Sequence, residues 1–512
     1  RKAKLRMDTI MKPLSRLLLC TFLLSIGKAA LAADSLSLWE AMERAAQSNP
    51  AIKSQQVEVS KQTLEQDIAR GQHLPKVNLN AAYTRYAYPT FVTPIRDTNV
   101  FPPMDRDIAS IGLAMTLPLY RGGKLVAGEA LAAHNREASV QTLRAGGQDL
   151  LFNVAATYTK ALHFRQLVTA LDVRIKALLQ EEKDIGLRLR EGRVARLELI
   201  RLQTQLSQAR YDRISVAQGE KDALSLLASL LGESGPVPVL SELSATAPAL
   251  PVSADEAMRR ALQQHPDILR LDAMGRAAQQ KTAIARGDRL PQIDLVANAQ
   301  ETAGSDWKGY DDSHIGVQLA LPLFDGGILK RRVEQAGLDQ RQNALQLEDA
   351  RNRLASEVEQ AFGALSESRA RLEAATQGET EAAEALRIET LRYHSGENTI
   401  TDLLGAESAL WSATASRLQA GYDITVSQAR LLRVIGELAA DSFRPADVGK
   451  KSAVEHSSSG IDPRTLAQYL AWHRCGMSCD GEAVAQKADT RTHQQLATTG
   501  LPGKSIQQGT RL

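Results

Sequence analysis

The sequence predicts a mainly helical chain with a membrane β-barrel part, built as two structural repeats. Each repeat runs helix, strand, strand and long helical hairpin. Three observations predict this: an internal repeat, paired alternating segments of membrane-crossing length, and two helical stretches of about 70 residues with coiled-coil periodicity.

The repeat is direct. Glu40-Ala41-Met42-Glu43-Arg44-Ala45 with Pro50 and Ile52 returns as Glu256-Ala257-Met258-Arg259-Arg260-Ala261 with Pro266 and Ile268, an offset of 216. Ala69-Arg70-Gly71 and Leu74-Pro75 return as Ala285-Arg286-Gly287 and Leu290-Pro291 at the same offset. Leu117-Pro118-Leu119-Tyr120 with Gly122-Gly123 returns as Leu321-Pro322-Leu323-Phe324 with Gly326-Gly327 at offset 204, which Gly192 and Gly396, then Gly232 and Gly436, also keep. The difference in offset places a longer loop in the first copy, between residues 75 and 118.

Each copy opens with a helix start. Ser37 and Glu40, then Ser253 and Glu256, fit S-x-x-E, in which side chains satisfy the free amides of a first turn. Pro50 and Pro266 interrupt the following helix or begin a second segment, which runs to about Gly71 or Gly287.

The period then changes to two. Val77, Leu79, Ala81 and Tyr83 alternate with polar or small residues, and after a Pro-rich loop Ile111, Leu113, Met115 and Leu117 do the same against Ser110, Gly112 and Ala114. In the second copy Ile293, Leu295 and Ala297 are followed by Ile315, Val317, Leu319 and Leu321. Each strand is expected to span about 10 residues, enough to cross a bilayer at a tilt. The faces of Ile111, Leu113, Met115, Ile315, Val317 and Leu319 are then the lipid-facing ones, and Tyr83, Tyr86 and Tyr88 fit an interfacial girdle. Pro118, Gly122, Gly123, Pro322, Gly326 and Gly327 mark the strand-to-helix turns.

Beyond each Gly-Gly the chain turns helical up to Gly192 or Gly396, roughly 100 Å if unbroken. Leu171, Ile175, Leu178, Ile185 and Leu189 form a heptad stripe with Glu182 in the remaining slot. Leu199, Leu202, Leu206, Ala209 and Val216 continue it on the returning helix, with Arg213 intruding.

The termini read differently. Lys12 and Arg16 precede the apolar run Leu17–Ile26 and the A-x-A site Ala30-Leu31-Ala32, so residues 11–32 are expected to be a signal peptide preceded by upstream residues 1–10. The first repeat is expected over 34–232, a Pro- and Ser-rich linker over 233–252, the second repeat over 253–438, and a variable, disordered tail over 441–512.

Composition excludes several function classes. A net charge of +3 gives no case for a nucleic-acid partner, and no P-loop, G-x-S-x-G or H-E-x-x-H occurs, so neither an enzyme nor a cofactor is expected. His473, Cys475 and Cys479 do not complete a zinc ligand set, and no metal site is expected. Four strands cannot close in lipid, where an open edge strands its amides and carbonyls. Two chains supply eight strands with a filled interior, and three supply twelve with a wet lumen, so an oligomer is predicted and transport favours a trimer.

With these residues in place, the chain resembles the outer-membrane efflux protein family, the TolC-type channels of Gram-negative bacteria. The twofold Leu-Pro-Leu/Gly-Gly motif and Gly396-Glu397-Asn398-Thr399-Ile400-Thr401-Asp402-Leu403-Leu404, followed by Glu407 and Leu410, carry the resemblance over about residues 35–438. It implies a homotrimer with a 12-stranded barrel and a periplasmic α-helical tunnel. It also implies a passive exit duct for drug efflux or type I secretion, with outer-membrane lipid, a periplasmic adaptor (membrane-fusion) protein and an inner-membrane pump as partners. Gly192, Arg193, Val194, Gly396, Glu397 and Thr399 become the adaptor-contacting tips, and Asp402 and Asn398 the periplasmic entrance. Asp402 would ring the axis with carboxylates; the alternative is an ordinary acid at a helix start. Gly405 stands where such members carry a second acid, and Asn398 where some carry a base. The competing function is a structural coiled-coil envelope protein without a pore.

Overall fold

The computed structural model describes residues 35–98, 100–233, 235–243 and 250–444. The leader, with Cys20, and the tail from 445, with His473, Cys475 and Cys479, lie outside them.

Two short helices open the body, α1 (Leu38–Ser48) and α2 (Pro50–Gly71). The Ser37 hydroxyl accepts the Glu40 amide and Glu40 accepts the Ser37 amide, closing a full capping box. Pro50 at the first turn of α2 begins a new segment, since its missing N–H costs nothing there. Two strands follow, β1 (Lys76–Phe91) and β2 (Met104–Tyr120), then α3 (Lys124–Arg190) and α4 (Arg196–Leu231).

The second half gives α5 (Ala254–Gln264), α6 (Pro266–Gly287), β3 (Gln292–Ala303), β4 (Gly309–Ala320), α7 (Ile328–Ser395) and α8 (Ile400–Ile435). Its cap is modified: Ser253 accepts the Glu256 amide, but the Glu256 carboxylate accepts from Val252 instead of Ser253. Among the described residues no helix is long and apolar enough to cross a membrane.

Two expectations need correction. Strands of about 10 residues become 16 and 17 in the first hairpin and 12 and 12 in the second. A register shift between Arg85 and Thr90 carries the first hairpin past its apolar band, where the alternation in sequence ends. Pro118 also lies inside β2, paired with Asp294, whereas Pro322 lies beyond the end of β4. The central strand β2 has β3 to pair with at that height; the edge strand β4 has no neighbour on its far side among the described residues.

The linker region is packed where it is described. Leu36 bridges Leu240 in parallel, and the fully buried Tyr158 hydroxyl lies 2.7 and 2.6 Å from the Leu36 and Ser241 carbonyls. Past Gly436 a 3-10 turn, Ala440–Phe443, sets Phe443 against the same core, so the first residues of the expected tail belong to the packed body.

Three apolar clusters hold the helices together. One joins α1, mid-α3 and the ends of α4 and α8; a second joins α5, α7 and α8. The third unites all four long helices near their tips through Leu178, Ile185, Leu202, Leu206, Tyr393 and Leu403. The heptad stripe supplies Leu171, Leu178 and Ile185 as buried seam residues, with Ile175 and Leu189 half-buried. Arg213, the intruder, pairs with Asp172 at the seam's margin.

Candidate functional site: sheet, turns and helical tips

The four strands form one antiparallel sheet in the order β1-β2-β3-β4, and among the described residues neither β1 nor β4 has a partner on its outer edge. Its register puts Leu79, Leu113 and Ala299 side by side, then Ala297 with Ile315 and Leu295 with Val317. Because paired residues share a face, Ile111, Leu113, Met115, Ile315, Val317 and Leu319 all lie on one side. Ile315, Val317 and Leu319 are 72%, 64% and 63% exposed, Ile111 and Leu113 about half, and Met115 less. The opposite face carries Asn78, Asn80, Ser110, Gly112, Asn298, His314 and Gln318. An apolar face left bare beside a polar one has no use in water.

Each strand-to-helix turn uses two successive left-handed glycines. Gly122 and Gly123 have φ of +61° and +78°, and Gly326 and Gly327 +68° and +83°, a conformation other residues adopt only with strain. Gly122 also lies so close to Gly287 that a Cβ would sit 2.5 Å from the Gly287 carbonyl oxygen.

At the far ends, Gly192 and Gly396 reverse the chain through matched Schellman motifs. The Gly192 and Arg193 amides donate to Leu189 and Arg188, and those of Gly396 and Glu397 to Tyr393 and Arg392. Gly192, Arg193, Gly396, Glu397 and Thr399 are exposed, while Val194 is tucked against the third cluster. Asn398, in the turn between α7 and α8, donates to Glu389 near the end of α7.

Asp402 is exposed and closes the cap of α8. Its Oδ2 accepts the Thr399 amide at 3.1 Å and the Thr399 hydroxyl at 2.7 Å, and these donors hold its carboxyl below the usual range. The cap leaves the charge facing water.

Residues that sequence reasoning passed over knit the two tips together. The Tyr393 hydroxyl donates to Glu198 on α4 at 3.2 Å; burial and the Glu198 charge push its pKa up to about 12. An Arg188 nitrogen lies 2.8 Å from His394 Nδ1, which must then be the unprotonated acceptor, and its guanidinium sits over the Tyr393 ring. Arg201 donates to Thr401. Higher up, Arg174 and Glu407 form a buried bidentate pair, with Arg174 also against Trp411. Glu181 keeps a buried oxygen with no partner among the described residues, and burial raises its pKa. A buried arginine on a heptad seam was the available signal for Arg174; its partner lies 233 residues away, which spacing cannot reveal. Among the described residues no cluster of His, Cys, Asp and Glu could hold a metal.

A sheet with an apolar band on one face and polar residues on the other, rooted on long helical hairpins, is the build of an outer-membrane channel protein. The family model described as "Outer membrane efflux protein" matches residues 41–233 and 257–437, and the chain belongs to that family. Its members are transport channels, not enzymes, and the chain is a Gram-negative outer-membrane protein. It is 24% identical over 442 residues to the outer membrane efflux protein BepC of Brucella suis biovar 1 (85% of this chain, 93% of that one). It is 21% identical over 486 residues to the outer membrane protein TolC of Escherichia coli K12 (92% and 96%). Its fold is similar to the crystal structure of the outer membrane protein VceC from Vibrio cholerae, with a TM-score of 0.67 at 19% identity over 78% of this chain and 96% of that one.

Proposed function

We propose that three copies of the chain form a homotrimer whose twelve strands close one barrel, with the helical hairpins extending the lumen as a periplasmic tunnel. The assembly is a passive exit duct. An energised inner-membrane pump, reached through a periplasmic adaptor, supplies the work, and small molecules or polypeptides are the cargo.

One observation carries this reading: a four-stranded sheet with a bare apolar face and two unpaired edges. In lipid those edges need partners, and only other subunits supply them. Twelve strands leave a wet lumen, which the polar Asn78, Asn80, Asn298 and Gln318 suit. On this reading Ile111, Leu113, Met115, Ile315, Val317 and Leu319 meet lipid. Gly192, Arg193, Gly396, Glu397 and Thr399 face the adaptor, with Val194 as support behind them. Asp402 and Asn398 border the entrance.

Planar-bilayer recording on the purified chain tests it. Stepwise conductance from a species of trimeric mass is expected. Electrically silent protein would favour the structural coiled-coil alternative.

A further inference from the structure

The polar face of the sheet ends in a charged hollow where it meets the helices. Lys76 faces Thr116 at the base of β1–β2, and Pro118 faces Asp294 across β2–β3. Thr116 and Pro118 lie two residues apart on one strand, so all four share the face that carries Asn78 and Gln318. Gln72 past the end of α2, Leu125 at the start of α3 and Ile284 near the end of α6 wall the hollow, a cavity of about 430 Å³. That is room for a small organic molecule.

Three cations gather there: Lys76, Arg121 and Lys124. Two of them are compensated. Lys124 pairs with Asp288 at 2.8 Å, and Arg121 pairs with Asp294 at 2.8 Å while donating to Gln292. Lys76 is exposed, and among the described residues it has neither an ion-pair nor a hydrogen-bond partner. The hollow therefore keeps one positive charge unbalanced. The turn itself does not require these charges. The second repeat builds the same Gly-Gly turn with Gln292, Asp325 and Ile328 at the positions of Lys76, Arg121 and Lys124. Hydrocarbon lies beside the charge, from Pro118, Leu125 and Ile284. A cation next to an apolar wall suits an anion that carries an apolar body. Lipid headgroups do not reach it, because its strand residues Lys76, Thr116 and Pro118 are on the face opposite Met115 and Leu319.

We infer that this hollow is a subsite for organic anions inside the duct. A carboxylate or sulfonate meets the Lys76 ammonium, the Thr116 hydroxyl supplies a further donor, and the hydrocarbon part of the ligand rests against Leu125 and Ile284. Charge-assisted hydrogen bonds of this kind are the strong ones, and Lys76 spends none of its donors elsewhere among the described residues. The second repeat lacks the cations, so each chain contributes one such subsite. The inference rests on the duct reading above and adds a class of cargo.

Fluorine NMR of para-fluorobenzoate with the purified full chain in detergent tests it. Saturable line broadening is expected, and the uncharged para-fluorobenzamide should show none. Lys76→Gln should weaken binding about ten-fold, because a hydrogen bond to a charged group is lost. Lys76→Arg should keep it, and Lys330→Gln, which removes an exposed cation near the turn of the second repeat, should bind as the parent does. Benzoate should also lower the single-channel conductance of the parent more than that of Lys76→Gln. No binding, equal binding of the acid and the amide, or full binding by Lys76→Gln would overturn the subsite and leave the duct standing. Binding as expected by a protein that carries no current would overturn the duct and, with it, the role in cargo passage.

Discussion

Arg174 on α3 and Glu407 on α8 meet as a bidentate ion pair, 2.7 and 3.0 Å, in the seam between the two helical hairpins. Their side chains are 7% and 14% exposed, so both charges are largely shielded from water.

Removing one member should therefore cost more than removing both. Arg174→Met leaves Glu407 buried and alone, a loss of about 3–5 kcal/mol. Arg174→Met with Glu407→Leu should recover most of it. Denaturant unfolding of the four proteins of this double-mutant cycle measures the difference.

The Tyr393–Glu198 bond joins the tips of the two hairpins. Tyr393→Phe removes a hydrogen bond to a charged acceptor, worth about 1.5–3 kcal/mol, and should shift the tips toward an open arrangement at least roughly ten-fold. Higher open probability in single-channel records is the expected result. Unchanged gating would assign the bond to hairpin packing alone.

Asp402→Asn keeps an acceptor for the Thr399 donors and removes the charge. Cation block and cation selectivity should both fall. In the parent protein the carboxyl titrates below the usual range, so its charge, and the block, should survive acidification until the pH falls through that lowered value. Selectivity unaffected by Asp402→Asn would make the residue a helix cap and nothing more.

Glu181 gives the opposite sign. Burial raises its pKa, so the folded tips favour the protonated acid. Its contribution to stability is complete at low pH and is lost as pH rises through the folded-state value. Glu181→Gln should raise the melting temperature at pH 8 and change it little at pH 4. Equal shifts at both would implicate packing instead.

The long-range plan was legible because it rests on local signals that recur. Two prolines at first turns, paired Gly-Gly turns and four helix-ending glycines each act on their own neighbours, and repetition made them unmistakable. The apolar strand faces followed from period two alone. The upper parts of β1 and β2 were not legible, because ladder pairing past the Arg85–Thr90 shift persists where the alternation ends. Nor were Tyr393–Glu198 and Arg174–Glu407, whose partners lie about 200 residues apart and meet only once the hairpins are laid together.

The two β-hairpins differ in height. Strands of 16 and 17 residues stand beside strands of 12, a surplus of roughly 13–17 Å along the strand. In the proposed trimer, threefold repetition of that inequality gives a crenellated rim, three turrets alternating with three notches.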